Sequence, residues 1–303
     1  MWRMITMRCG KLLGLFPFLV ILWGCVPQLN TPSGVTEKTA QFHYQMGVNY
    51  LGEGKTPQAI KELVTAQSLS PGNADIEHAL GLAYQQKGLY DQAMDQYQKA
   101  MKLDPKLTEA RNNYGTVLLA KGKNDEAIAV FEECLKDQLY STPEKAAYNM
   151  GVAYFNKKDI DKAIEHYQNA IKLREDNSVA MYNLAYCYEE KQNYPKAIQY
   201  YRSAIASDQS FKDAYYRLGV ALNHEHDYPA ALDAVKKAVD MDPAYLPAQY
   251  LMGTVYGKMG DADKSIQKLD LVIRAEPESA LGKKAQEEME LLKSKPPAKP
   301  ARR

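Results

Sequence analysis

Tryptophan, cysteine and unbalanced charge are all scarce in this 303-residue chain, and each shortage narrows what it does. Both tryptophans, Trp2 and Trp23, fall within the first 24 residues, whereas the 22 tyrosines all lie beyond them. The four cysteines, Cys9, Cys25, Cys134 and Cys187, are too few and too scattered for a disulfide framework. Lys+Arg and Asp+Glu stand at 38 and 37, so there is no electrostatic footprint for nucleic acid. Apart from residues 12–23 no long apolar run occurs, and even that one is shorter than the ~20 residues that cross a bilayer. Glycine-rich phosphate loops and nucleophile elbows are missing, and the acids are scattered at solvent-facing positions. His224-Glu225-His226 is the one conspicuous polar triplet, but two histidines at i, i+2 on a helix point apart and no third ligand is spaced to meet them. The reading is of a non-enzyme with no catalytic residues, no metal, no cofactor and no small-molecule substrate.

Residues 1–11 carry Arg3, Arg8 and Lys11 and no acid, residues 12–23 are almost wholly apolar, and Gly24-Cys25 follows. A basic start, an apolar run of about a dozen residues and a small residue at the cut make a secretion signal. An uncleaved anchor, or an ordinary signal with a chance cysteine, are the alternatives. Leu22-Trp23-Gly24-Cys25 resembles the lipobox of bacterial lipoproteins, with Trp23 in place of the usual small residue. That resemblance implies a signal peptide over residues 1–24 and lipidation of Cys25, which would leave 35 Lys+Arg against 37 Asp+Glu. Val26, not Asp, follows the cysteine, which in enteric bacteria favours the outer membrane, so the expectation is an outer-membrane lipoprotein of the bacterial cell envelope facing the periplasm. Residues 25–39, with Pro27, Pro32 and Gly34, read as a flexible tether. Residues 294–303 hold three prolines and four basic residues and read as a disordered tail.

Between these ends the chain repeats. A small residue is followed three places on by an aromatic residue or Leu, and nine places after that by a second small residue. A bulky apolar side chain comes four places later and another small one three beyond it. The first copy is Gly47, Tyr50, Ala59, Leu63, Ala66, Pro71, and the second is Gly81, Tyr84, Ala93, Tyr97, Ala100, Pro105. Seven copies recur every 34 residues, interrupted once by a 36-residue unit. A period of this size signals a stack of supersecondary units rather than one globular core. Each unit contains two helical faces. In the second, Lys87-Gly88-Leu89-Tyr90-Asp91 supplies a Gly stop and an Asp start between them. Tyr194-Pro195 and Tyr228-Pro229 stand at the same turn in later units.

This pattern resembles the tetratricopeptide repeat over residues 40–279, with units starting near Ala40, Ala74, Thr108, Glu144, Ser178, Lys212 and Leu246. The resemblance implies an all-α fold, a right-handed superhelical solenoid of seven helix-turn-helix units. Residues 280–293 place Leu281, Ala285, Met289 and Leu292 on one face and read as a capping helix. In such arrays the first helices line an inner groove, faced by the fifth, ninth and twelfth places of each unit. Here the fifth place holds Tyr44, His78, Asn112 and Tyr148, then Tyr182, Tyr216 and Tyr250. The sixth place holds Asn113, Asn149 and Asn183, and the ninth includes Tyr186. An aromatic, apolar groove with amide hydrogen bonders suits an extended peptide or an amphipathic helix of a partner protein. Packing within the stack is the other use for the tyrosines. Lys145 and Arg217 are the basic residues at the second and sixth places, so the carboxylate clamp of chaperone-binding members is not expected.

A narrower resemblance rests on units three and four. Asn112-Asn113-Tyr114-Gly115 opens unit three, its longer end carries Leu139-Tyr140-Ser141-Thr142-Pro143, and unit four continues Ala146-Ala147-Tyr148-Asn149-Met150-Gly151. This is similar to the type IV pilus biogenesis and stability lipoproteins, the pilotins. It implies a lipid-anchored scaffold that binds the outer-membrane secretin and helps it assemble or reach its membrane. Those proteins usually have six units where this chain has seven. A general periplasmic adaptor recruiting cell-envelope enzymes, such as those acting on peptidoglycan, would share the anchor and the groove.

Overall fold

The computed structural model describes residues 33–294; the expected signal peptide, Cys25 and residues 295–303 lie outside them. Every regular element among the described residues is helical. The first four pairs are α1 (Ser33–Gly52) with α2 (Thr56–Leu69), α3 (Ala74–Gln86) with α4 (Tyr90–Leu103), α5 (Thr108–Ala120) with α6 (Asn124–Lys136), and α7 (Pro143–Asn156) with α8 (Ile160–Leu173). Three more follow: α9 (Ser178–Glu190) with α10 (Tyr194–Ser207), α11 (Lys212–His224) with α12 (Tyr228–Met241), and α13 (Leu246–Lys258) with α14 (Ala262–Ala275). A last helix, α15 (Ala280–Ser294), packs on α13 and α14. Each helix packs on its neighbours in the chain, and first helices also touch first helices, as α1 does α3 and α11 does α13. The result is the all-α solenoid of seven helix pairs that the repeat implies, with the first helices forming one wall.

Residues 33–39 are not tether: α1 begins at Ser33, seven residues before the expected start. Pro32 is the last helix-breaking residue on that side, and nothing after it stops the helix from running back from Ala40. At the other end α15 includes Ser294, one residue into the expected tail.

Packing within each pair depends on a close approach between the eighth and twenty-fourth places. Tyr97, Phe131, Tyr167 and Tyr201 occupy the latter and are at most 2% exposed. A Cβ added at Gly151 would fall 2.6 Å from the Tyr167 ring, so glycine there lets the ring lie flat on the backbone of α7. Leu63 meets Gly47, and Leu269 meets Gly253, in the same way. Ala185 replaces the glycine opposite Tyr201 in unit five, and both residues are fully buried. Burying each of these large side chains contributes about 1.5–3 kcal/mol.

The turn inside each pair needs one residue at positive φ. Gly54, Gly88, Gly122 and Gly260 supply it in four units, whereas Lys158 (φ 64°), Gln192 (φ 57°) and His226 (φ 61°) adopt it without glycine. In those three units, and in the seventh, the very next residue caps the second helix through its side chain: Asp159, Asn193, Asp227 and Asp261. Asp91 does not start α4 as the spacing suggests. The cap position falls on Leu89, which has no side-chain cap, and Asp91 lies in the first turn. Its carboxylate instead pairs with Lys121 of the following unit. Lys157 pairs with Asp125, and Lys191 with Asp161 at 2.5 Å, in the equivalent places, so units two to five are joined by one repeated ion pair. Pro195 and Pro229 take the acid's place in later units.

Two substitutions follow from departures between units. Ser265 is fully buried with no hydrogen-bond partner for its Oγ, where the other six units carry Ala. Ser265→Ala should therefore raise stability by about 1 kcal/mol. Gln192→Gly, at a position held in the left-handed region, should add about 0.5–1 kcal/mol. Urea denaturation followed by circular dichroism reads both, and a lowered midpoint for either would contradict the assignment. Gly151→Val, by contrast, should lose about 1–3 kcal/mol by forcing the Tyr167 ring out of place.

Candidate binding groove

At the α1 end the inner wall is hollow and apolar. Tyr44, Val48 and Leu51 of α1 face His78, Leu82 and Gln85 of α3 across a cavity of about 630 Å³. These are places five, nine and twelve of units one and two. His78 Nε2 lies 2.9 Å from Asn113 Nδ2 and its ring packs near Tyr97, with centroids 5.9 Å apart. Burial lowers the His78 pKa against the opposing pull of Glu109 and Asp75, which keeps the ring neutral and its Nε2 able to accept from the amide.

Further along, the amides of the sixth place are turned to the stack itself. Asn149 Nδ2 donates to Asn112 Oδ1 at 3.2 Å, and Asn183 Nδ2 donates to the Tyr148 hydroxyl at 2.9 Å. With His78 and Asn113 they form one ladder in which place five of a unit is bonded to place six of the next. Asn112, read from the sequence as a groove residue, is only 4% exposed. Its side chain is too short to reach past the wall, and Asn149 closes over it. Asn113, Asn149 and Asn183 remain half-buried, each with hydrogen-bonding capacity beyond the rung it makes.

Units five and six replace amides with rings and charge. Tyr182 packs against Phe211 and Tyr201, with ring centroids at 4.9 and 5.6 Å. Tyr216 meets Tyr245 edge-on at 5.3 Å. Glu189 accepts from the Tyr201 hydroxyl at 2.7 Å and from Arg217 Nη1 at 3.1 Å, and its side chain is 12% exposed. The Arg217 guanidinium lies 4.7 Å from the Tyr186 ring centroid and 5.8 Å from that of Tyr216. Burial opposes the Arg217 charge, but Glu189 leads the groups that together raise its pKa. Tyr186 also touches Phe155, at 5.5 Å between centroids. Tyr250 is half-buried; burial and then Glu288 raise its pKa.

The wall thus brings Tyr44 and His78 together at one end and Tyr182, Tyr186 and Tyr216 at the other. Asn112 is withdrawn, and the ladder of Tyr148, Asn149 and Asn183 holds neighbouring units. Cys25, the expected lipidation residue, lies outside the described residues. Sequence reasoning missed Phe211 and Tyr245, which come from the connections before α11 and α13 and not from first helices. It also missed the Glu189–Arg217 pair, although place twelve was the signal for Glu189. The His224-Glu225-His226 triplet is taken apart: His224 stacks on Tyr194 at 4.5 Å, while His226 Nδ1 lies 2.9 Å from the Tyr228 hydroxyl. Among the described residues no group of three His, Cys, Asp or Glu is placed to hold a metal ion.

Tetratricopeptide repeat models match residues 44–108, 78–142, 144–210 and 222–288. No curated protein matches the chain in sequence. Among solved structures, the Pseudomonas aeruginosa pilF protein is similar at a TM-score of 0.58 and 20% identity, over 84% of this chain and 99% of that one. A chain of the APC/C hetero-tetramer Cut9–Hcn1 is similar at 0.64 and 15% identity, over 85% of this chain and 52% of its own length. The C-terminal part of a repeat protein from Cytophaga hutchinsonii is similar at 0.60 and 14% identity, over 80% and 98%. At these identities the likeness is one of fold.

Tyr148→Phe removes the acceptor of one rung and should cost about 0.5–1.5 kcal/mol in urea denaturation while leaving the helical signal unchanged. Alkaline conditions should destabilise the protein. Burial raises the Tyr97, Tyr167 and Tyr201 pKa values above the ordinary 10.0, so from about pH 10 the unfolded chain gives up protons that the folded chain keeps. Stability is then fully present below pH 10 and falls as pH rises beyond it, which urea midpoints at pH 8 and pH 11 would show. Burial also pushes the Cys134 and Cys187 thiols up to about 12, so both should resist alkylation at pH 8 until the protein unfolds.

Proposed function

Since the chain belongs to the tetratricopeptide repeat family, a family of protein-binding scaffolds, we propose that it is a lipid-anchored scaffold that assists type IV pilus biogenesis. In this reading acyl chains on Cys25 hold the array at the inner leaflet of the outer membrane. The inner wall captures a segment of the outer-membrane secretin, so that the two travel or assemble together. Tethering raises the partner's local concentration at the bilayer without any chemistry.

The observation that carries the binding role is the continuity of apolar and aromatic side chains along the first helices. They run from the hollow at Tyr44 and Leu82 to the rings around Tyr186. The likeness in fold to the pilF protein supports the pilus assignment, as do the asparagines and the longer turn of units three and four. That turn is an ordered feature. Asp137 bonds Thr108 and accepts from the Leu139 N–H at 2.9 Å, and Ser141 donates to Glu109 at 2.9 Å. Tyr140 is buried beneath it, and Leu139 is left 87% exposed.

Tyr148, Tyr182 and Tyr216 help hold the stack, so replacing them confounds binding with folding. Val152 and Leu82 are better positions. A photoreactive residue at position 152, used in cells, should capture secretin. Capture of peptidoglycan enzymes instead would favour the adaptor reading, and no capture at all would remove the groove. Leu82→Glu should lower recovery of the partner at least about tenfold, a loss of ~1.4 kcal/mol or more, with an unchanged circular dichroism spectrum. Cys25→Ser should move the protein from the membrane fraction to the soluble one and abolish palmitate labelling; retention of either would remove the anchor.

A further inference from the structure

We propose that the leading end of the solenoid is a dimerisation surface, on which the α1 helices of two copies of this chain pack antiparallel about a two-fold axis. The proposal is independent of what the groove binds. Each later first helix is covered by the second helix of the unit before it. The third and tenth places receive that cover and are at most 2% exposed in all six units, from Ile76 and Ala83 to Ala248 and Val255. On α1 the third place is Phe42, 61% exposed. The tenth is Asn49, also exposed, and the seventh is Met46, half-buried. At the other end α15 lies over α13 and α14 and turns Lys283, Lys284, Glu287 and Glu290 to solvent. Among the described residues no helix lies ahead of α1 in that way.

The uncovered face is complementary to itself. Lys38, Phe42, Gln45, Asn49 and Glu53 stand at i, i+4, i+7, i+11 and i+15, which makes one stripe of a helix, and all five are exposed. Glu53 follows the last residue of α1 and keeps the helical register, since its N–H donates to Asn49 O at 3.0 Å. A two-fold axis between Gln45 and Met46 sets Lys38 against Glu53 of the second copy, and Phe42 against Asn49 of the second copy, each twice. Parallel packing would set Lys38 on Lys38 and Glu53 on Glu53, so charge selects the antiparallel arrangement. Gln45 Nε2 already donates to Asn49 Oδ1 at 3.2 Å, which meets part of the demand of both amides once water is excluded. Head-to-tail stacking would instead press the apolar Phe42 onto the charged face of α15. Tyr44, Val48 and Leu51 lie on another side of α1 and go on lining the hollow, so both grooves of the dimer stay open. A seam ~22 Å long buries less than the ~1,200 Å² of stable complexes, so the dimer is weak and depends on concentration.

The test is sedimentation equilibrium of the purified full-length protein at up to ~0.2 mM, where a micromolar Kd gives mostly dimer. The expected result is a monomer–dimer equilibrium. Phe42→Glu should weaken association at least about tenfold, with an unchanged circular dichroism spectrum. Lys38→Glu and Glu53→Lys should each weaken it about three- to tenfold, and the two together should restore it, because the reversed charges again meet across the axis. Under mild oxidation Gln45→Cys should give a disulfide-linked dimer, whereas Lys99→Cys, exposed on α4, should not. A monomer at every concentration would overturn the proposal and leave the face to the residues before α1 or to another protein. A dimer indifferent to Phe42→Glu, a missing Gln45→Cys link, or no recovery in the double charge reversal would overturn it as well.

Discussion

No helix pair in this chain can bury its own apolar face, and the whole structure follows from how tightly a pair closes and how the next pair covers it. Closure depends on a glycine or alanine at the eighth place, against which a ring or branched side chain of the second helix lies. Tyr97 on Gly81 is the tightest statement of that constraint at the eighth place, and Ala185 under Tyr201 marks its tolerance. A larger side chain at the eighth place would move the second helix, and the error would pass to the next unit. Stability is then a sum over pairs and interfaces with no central core to absorb a defect.

The same economy governs the inner wall. Polar groups there are used first for spacing: His78 with Asn113, Asn112 with Asn149, Tyr148 with Asn183. What faces outward is the apolar remainder together with the unbonded half of each amide. Units five and six exchange the amide rung for a half-buried Glu189–Arg217 pair flanked by Tyr182, Tyr186 and Tyr201. A lone carboxylate at that depth would be costly, but one that accepts from both a hydroxyl and a guanidinium is satisfied. The wall therefore changes character along its length, from hollow and apolar at α1 to aromatic and charged at α11.

Most of the architecture was legible because the repeat carries two independent signals, small residues where helices touch and turn residues where they stop. α3, α5, α9, α11 and α13 begin at the residues from which the spacing starts each unit. The start of α1 was misplaced because the pattern marks buried packing positions, the first of which is Ala40, whereas the helix itself starts at Ser33. Asp91 was misread as a cap because its type suits either role, and only the neighbouring Lys121 decides between them. The groove was legible by position and not by role. Place five names the wall, but whether Asn112 faces solvent depends on Asn149 in another unit, thirty-seven residues away. Phe211 and Tyr245 lie on connections, where helical periodicity says nothing.

α15 meets α13 through the same places that one first helix offers the next, with Glu288 opposite Thr254 and Leu292 opposite Gly257. The closing helix thus fits the generic end of a pair rather than a unique final one. A further pair spliced in between α14 and α15 would find matching surfaces on both sides. Such an array can lengthen or shorten by whole modules while the surface that each closing helix covers stays the same.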